Sequence, residues 1–414
     1  MIKRDLYLQK IKSRMHNGMI KVITGIRRCG KSYLLFNIFS DYLKEIGVDD
    51  SHIIKIDLED RRNKELRDPD NLLSYIDSKM QDKDMYYILL DEVQKVSEFE
   101  DVLNSYLKVK NADVYVTGSN SKFLSKDVIT EFRGRGDEIK IKPLSFNEFV
   151  SVFEGSKEDA LKEYILYGGL PMVALTKEPT EKEKYLKDLF ETTYLRDIKE
   201  RYGIKNEAEM DELINIAASS IGGLTNPTKL ANTFKSVKNI DISKNTIISY
   251  LEILQDVFMI EKSERYDIKG KRYINTPAKY YFEDLGLRNA RLNFRQIEET
   301  HLMENLIYNE LRRRGMSVDI GEVVVNEVLD GKNIRKQLEV DFVCNIGYRR
   351  YYIQSAYSVY DDNKREQELR PLRQINDSFQ KMIIVWDNII RYQNDDGVLF
   401  ISIYDFLGEE WQFD

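Results

Sequence analysis

Eight consecutive residues of this chain have the types and spacing to hold a chain of phosphates. Gly25-Ile26-Arg27-Arg28-Cys29-Gly30-Lys31-Ser32 reads G-x-x-x-x-G-K-[ST]. An apolar run, residues 19–24, precedes it, and a helix-like run, residues 33–39, follows it. That strand–loop–helix setting gives the motif its physical meaning. Glycines let backbone amides wrap an anion, and the helix N-terminus adds favourable dipoles. In such a loop Lys31 reaches the β- and γ-phosphates, and the Ser32 hydroxyl can hold Mg²⁺. Gly25, Arg28, Cys29, Gly30 and Tyr33 complete the expected ATP cradle, with Arg27 as a further phosphate partner.

Residues 85–90 form an apolar strand that ends in Asp91-Glu92. Two acids at the end of a buried strand, downstream of a phosphate loop, can divide the remaining labour. Asp91 would hold Mg²⁺, directly or through water. Glu92 would polarise the attacking water.

These residues must be positioned by a parallel sheet. Five strand candidates, 20–24, 52–57, 86–90, 114–117 and 138–141, alternate with helical stretches, and ligands bind at the carboxyl edge of such sheets. A helix-rich section begins at Pro143, and residues 161–205 carry helical periodicity interrupted once, at Gly168-Gly169-Leu170-Pro171. Residues 207–274 have the order of a winged helix. Three helices, the last over 244–254, precede strands at 257–260 and 273–274, joined through the basic turn Lys269-Gly270-Lys271-Arg272. The last part holds a helix (299–313), strands at 317–320, 338–344 and 351–356, a helix (362–378) and further strands.

Composition bounds the function classes. The chain has 414 residues, enough for several domains, with 63 Lys and Arg against 70 Asp and Glu. The resulting net charge of −7 confines any nucleic-acid surface to a local patch. With three histidines and two cysteines, a histidine metal cluster, a zinc site or a structural disulfide is not expected. No apolar stretch approaches the ~20 residues that span a bilayer. The first residues lack the apolar core of a signal peptide, so a cytoplasmic location is expected.

Taken together, these motifs resemble a family of prokaryotic AAA-type P-loop ATPases that carry a C-terminal domain of unknown function, DUF4143. The resemblance rests on the phosphate loop, Leu90-Asp91-Glu92-Val93-Gln94, Thr117-Gly118-Ser119-Asn120-Ser121, Pro143-Leu144-Ser145-Phe146 and Tyr167-Gly168-Gly169-Leu170-Pro171. It rests also on residues 280–290, with Glu283-Asp284-Leu285-Gly286-Leu287, and on Glu339-Val340-Asp341-Phe342-Val343. It implies an α/β fold with an ATPase core (1–150), a helical lid (151–206), a winged helix with its connector (207–290) and a restriction-endonuclease-like α/β domain (291–414).

The resemblance also implies roles. Ser119 or Asn120, after a strand lying between the P-loop strand and the Asp91 strand, would orient the lytic water. Arg135 would stabilise charge at the γ-phosphate, in cis or across subunits. Pro171 would pack on the adenine, or simply help break a helix. In working nucleases of the C-terminal type, acids on a helix and a strand join an E-x-K. Here Glu304 and Asp341 match the acids, but the third place reads Gln354-Ser355-Ala356, so a non-catalytic remnant is expected. The implied activity is Mg²⁺-dependent ATP hydrolysis controlling the appended domains. The alternative is a nucleic-acid-binding or protein-interaction switch that binds ATP with little hydrolysis. Expected partners beyond ATP are DNA, through the winged helix, and a protein or a second copy of the chain.

Overall fold

Ile20–Thr24 (β1) is buried along its whole length, a lysine included. Lys21 is tolerated because its ammonium pairs with Asp113 and donates to the Met19 carbonyl at 2.8 Å. Asp113 also accepts from the Tyr115 hydroxyl at 2.7 Å. Burial pulls the lysine's pKa below its ordinary value, against the pull of Asp113.

β1 is one of five parallel strands. The others are Ile53–Asp57 (β2), Tyr86–Asp91 (β3), Ala112–Thr117 (β4) and Gly136–Lys140 (β5), in the order β2-β3-β4-β1-β5. One face packs Val22, Ile56, Ile88 and Val116 against the helices Pro69–Lys79 and Phe99–Tyr106. Aromatic side chains, with Phe39 and Tyr115 4.6 Å apart between ring centroids, fill the other. The described residues of this computed structural model are 2–118, 134–329 and 332–408. They divide into two units: Met1–Leu144 with Asp256–Phe258, and Ser145–Gln255 with Met259–Asp414. No helix among the described residues is long and apolar enough to cross a membrane.

The second unit opens with helices. The stretch expected to break once breaks twice, between Lys157–Tyr167 and Pro171–Leu175 and again before Pro179–Leu189. The second break follows from Pro179, which disfavours helical backbone in the residue before it. Helices Glu207–Ser219, Pro227–Lys238 and Lys244–Asp256 come next.

The strands that follow are Ile260–Asp267 (β6), Arg272–Phe282 (β7), Ser317–Leu329 (β8), Lys332–Ile346 (β9), Arg349–Ala356 (β10), Gln380–Val385 (β11), Tyr392–Gln393 (β12) and Leu399–Ser402 (β13). All eight form one sheet, ordered β12-β13-β11-β10-β9-β8-β6-β7. The hairpin expected to be a wing is therefore continuous with the C-terminal sheet, β6 running parallel to β8 from Arg265 opposite Ile320 to Asp267 opposite Glu322. β8 and β9 are far longer than expected, because the outer half of β9 is mostly polar and the Val-Val-Val-Asn-Glu-Val-Leu outer half of β8 shows no regular apolar–polar alternation. The helix from Asp362 stops at Arg373, short of 378, just past Pro371.

The Gly-Gly-Leu-Pro and Asp-Leu-Gly-Leu motifs, over a hundred residues apart, form one junction. Gly168 ends its helix with φ 77°, a conformation suited to glycine. The Gly169 amide donates to Asp284 at 2.8 Å, and the same carboxylate caps the helix Leu285–Arg291 by accepting from Leu287 at 3.0 Å. A side chain on Gly286 would collide with the Tyr167 carbonyl. Asn289 donates to the carbonyls of Ile165 and Leu166, both at 2.9 Å.

Burial pushes the Asp284 carboxyl up to about 6, although three backbone amides hold it back. The folded protein therefore keeps this proton to higher pH than the unfolded chain. The resulting stability is present below pH ~4 and is lost as pH rises towards 6, by about 3 kcal/mol for a shift of about two units. Asp284→Asn should unfold more easily at every pH, because its amide faces donors. Its deficit should be largest near pH 4 and narrow towards pH 7. Denaturant melts across that range test this, and a deficit independent of pH would refute it.

Candidate functional site

The phosphate loop leaves β1 and is braced from below. A side chain on Gly25 would run into the Ile141 carbonyl just after β5, and Gly25 has φ 141°. The Cys29 thiol is buried and lies 3.8 Å from that same carbonyl. Arg4, buried, donates to the carbonyls of Lys142 at 2.6 Å and Cys29 at 3.5 Å, and stacks 4.7 Å over the Tyr7 ring. The Tyr7 hydroxyl accepts from the Lys142 amide at 3.0 Å. Arg4 and Tyr7 precede the motif and had no local signal in the sequence.

Above this brace the loop turns. Arg28 has φ 64°, and Gly30 has φ 99° as the residue before the helix. No side chain caps that helix, so the first amides, of Lys31, Ser32 and Tyr33, are left for an anion. Lys31 is buried, with its Nζ 3.0 Å from the Gly25 carbonyl and 3.2 Å from that of Ile26. Its ammonium is thereby fixed beneath the loop. Arg28, Ser32 and Tyr33 are exposed, while Arg27 is half-buried.

The acids converge on this point through Thr117, to which the motif reading gave no role. Thr117, the last residue of β4, donates its hydroxyl to Asp91 at 2.5 Å and accepts the Glu92 amide at 2.9 Å. One hydroxyl thus pins both acids. The Ser32 hydroxyl lies near enough to Asp91 to favour its charged form. β4 lies between β1 and β3, which places Thr117 between the phosphate loop and the acids.

Burial, chiefly, pushes the Asp91 carboxyl above its usual range. The charges of Glu92 and Asp57 add to the rise, and the two hydroxyls restrain it. Glu92 adopts the left-handed conformation, φ 52° and ψ 49°, uncommon for a side-chain-bearing residue. Its carboxylate accepts a hydrogen bond from the Gln94 amide.

Other expected residues lie elsewhere. Ser119 and Asn120 fall outside the described residues. Arg135 is exposed and immediately precedes β5, and its carbonyl accepts from Ile20, at the start of β1. It therefore sits at the amino edge of the sheet, a five-residue strand or about 16 Å from the phosphate loop. The structure does not gather it with Lys31, Ser32 and Asp91. Pro171 is half-buried and opens the helix Pro171–Leu175 of the second unit.

The acids of the C-terminal sheet are also engaged. Glu304 accepts from the Tyr281 hydroxyl at 2.6 Å and from Lys279 at 2.8 Å. Lys279 also pairs with Glu339 at 2.7 Å. Asp341 accepts the Ser355 amide at 2.8 Å, while Gln354 accepts the Asp341 amide at 2.7 Å and donates to Glu368 at 2.8 Å. Burial and the charge of Glu304 push Asp341 well above the carboxylate range. Burial works against the charge on Lys279, but Glu304, Asp341 and Glu339 outweigh it and raise its pKa. Lys279 and Glu368 belong to no motif, and Ala356 brings no functional group. An ammonium thus already stands among these carboxylates.

Comparison with known proteins agrees with the first unit. Residues 17–150 match a family model described as an AAA domain. Residues 158–298 match a domain of unknown function, DUF8612, which contains the Gly169–Asp284 junction and lies largely upstream of the region where the resemblance puts DUF4143. Among solved structures, the Aeropyrum pernix ORC2 protein (ADPNP–ADP complexes) is 11% identical, with a TM-score of 0.36, over 63% of this chain and 86% of that one. Cdc6p from Pyrobaculum aerophilum is 10% identical, with a TM-score of 0.31, over 74% and 96%. An uncharacterized protein of Methanocaldococcus jannaschii is 32% identical, over 98% of this chain and 88% of that one. An uncharacterized protein of Haemophilus influenzae is 34% identical over 413 residues, 98% of either chain. The chain belongs to the family of these two uncharacterized proteins and carries an AAA domain at its phosphate loop.

Proposed function

We propose that this protein is a Mg²⁺-dependent ATPase whose nucleotide state controls its second unit. The observation that carries the reading is the chain Ser32–Asp91–Thr117–Glu92, in which a phosphate-loop hydroxyl, two acids and one threonine meet at the carboxyl edge of the sheet. This donor set fits a nucleotide with a divalent cation. Hydroxyl and carboxylate oxygens suit Mg²⁺, and an ammonium with uncapped amides suits phosphates. Mg²⁺ held by Ser32 and Asp91 would offset charge on the β- and γ-phosphate oxygens.

The remaining work falls to this chain's own groups. The loop amides and Lys31 bind and orient the phosphates. Glu92 takes the proton of the attacking water, with one carboxylate oxygen held by Gln94. Ser119 and Asn120 follow the strand that ends in Thr117, and either would orient that water. Arg135, at the opposite edge of the sheet, can reach only a nucleotide held by another molecule.

Lys31→Ala should weaken ATP binding by about 10- to 150-fold, as expected for losing hydrogen bonds to a charged group. Calorimetric titration of the folded variant tests this. Unchanged affinity would remove the loop from the assignment.

A further inference from the structure

Where β8 and β9 leave the sheet they continue as a two-stranded ribbon. Their pairing runs on through seven residue pairs, from Val323 opposite Leu338 to Leu329 opposite Lys332. The neighbouring strands do not follow. β6 pairs with β8 only as far as Glu322, and β10 pairs with β9 only from Phe342 to Ile346. The base of the ribbon is anchored, because Val323, Val325 and Leu338 pack into the core beneath the helix Asp362–Arg373. Its outer part is exposed, and displays Asn326, Asn333, Arg335, Lys336 and Gln337, with one apolar side chain, Ile334, among them.

The charges around the ribbon are sorted by sign. Among the described residues, acids beside the ribbon are paired: Glu327 with Arg370, Glu322 with Arg265, Glu339 with Lys279, and Asp267 with Arg272. Arg335 and Lys336 have no carboxylate partner among the described residues, nor do Lys269 and Lys271 of the β6–β7 turn. That turn lies against the ribbon's base, with Lys269 donating to the Val324 carbonyl at 3.3 Å. The third helix of the expected winged helix is a poorer surface. Lys244–Asp256 exposes Lys244 and Glu252, whose charges cancel, with Asn245, Ser249 and an apolar Ile248. Lys238, on the helix before it, is paired with Glu212 at 3.2 Å.

We propose that the β8–β9 ribbon binds duplex DNA by lying in the major groove, with Lys269 and Lys271 on the flanking phosphates. A two-stranded ribbon fits the B-form major groove, which is ~12 Å wide. Arg, Lys, Asn and Gln are the side chains that hydrogen-bond base edges there. The four outer pairs, from Asn326 opposite Arg335 to Leu329 opposite Lys332, span about 14 Å, enough to run along about four base pairs of the groove. A-form RNA offers only a deep, narrow major groove, so the ribbon selects DNA. This inference stands apart from the ATP chemistry.

The test is fluorescence anisotropy of the full chain with a labelled DNA duplex, across a salt series. Arg335→Gln with Lys336→Gln should weaken binding by about tenfold or more. Lys269→Gln with Lys271→Gln should make the log–log salt slope shallower by up to about 1.8, as two phosphate contacts are lost. All four positions are exposed, so melting curves of both variants should match the parent. The proposal is overturned if the parent does not bind the duplex at low salt, or if both variants bind as the parent does. It is overturned also if an RNA duplex of the same length binds equally well, because groove insertion would then play no part.

Discussion

Glu92→Gln should leave ATP and Mg²⁺ binding in place and slow single-turnover hydrolysis by about 10²- to 10⁴-fold, the range that loss of a general base produces. The substitution is nearly isosteric. The Glu92 amide would still donate to Thr117, and a glutamine oxygen could still accept from Gln94, so the backbone stays in its left-handed conformation. Asp91, Ser32 and Lys31 are untouched, so the phosphate and Mg²⁺ contacts remain. Only the ability to take a proton from water is lost. Quenched-flow hydrolysis with enzyme in excess over ATP measures this step without product release. Coincident rates in parent and variant would remove Glu92 from the chemistry. If ATP still binds tightly in that event, the protein is better described as a nucleotide-dependent switch that scarcely hydrolyses.

The parts of this site that were legible in the sequence are those whose geometry is local. A phosphate loop is built within eight residues, and the strand ending in Asp91-Glu92 names its own acids. The role of Thr117 was not legible, although its strand is expected between the P-loop and Asp91 strands, because one hydroxyl reaching both Asp91 and the Glu92 amide depends on side-chain geometry at the strand's end. Arg135 shows the same limit from the other side. Its neighbours in sequence say nothing of which edge of the sheet it occupies, and the β1–β5 register decides that.

The second unit repeats the pattern on a larger scale. Its helices were readable from apolar periodicity. The single sheet joining β6 and β7 to the C-terminal strands was not, because pairing between Arg265 and Ile320 leaves no local trace. Gly168 and Gly169 read as a helix break, which they are. Their partner Asp284 had to be seen in space.

The C-terminal carboxylates carry the last consequence of that limit. Lys279→Met should destabilise the protein by about 3–5 kcal/mol at neutral pH, the usual result of removing one member of a buried charged group. Lys279 is almost wholly buried between Glu304 and Glu339 and keeps its charge only because they are there. Methionine replaces the apolar stem, so the loss reports charge rather than volume. Glu304 would keep one donor, the Tyr281 hydroxyl, and face Asp341 without a counter-charge. The lysine's raised pKa makes its own contribution constant from acid to neutral pH, and that contribution is lost only as pH rises through the folded value, in the alkaline range. The pH dependence of the variant must therefore come from Asp341. The folded value of Asp341, which Lys279 holds down, would rise further without it, so the gap between parent and variant should narrow as pH falls towards 4. Adding Glu304→Gln to the variant should recover part of the loss at neutral pH. Since an ammonium already fills the cation's place in this cluster, Mg²⁺ or Mn²⁺ should leave the parent's melting curve unchanged and duplex DNA uncut. A variant that melts with the parent at neutral pH, or a Mn²⁺-dependent cleavage lost on Asp341→Ala, would show that Lys279 does not neutralise the site and that the cluster is built for a metal.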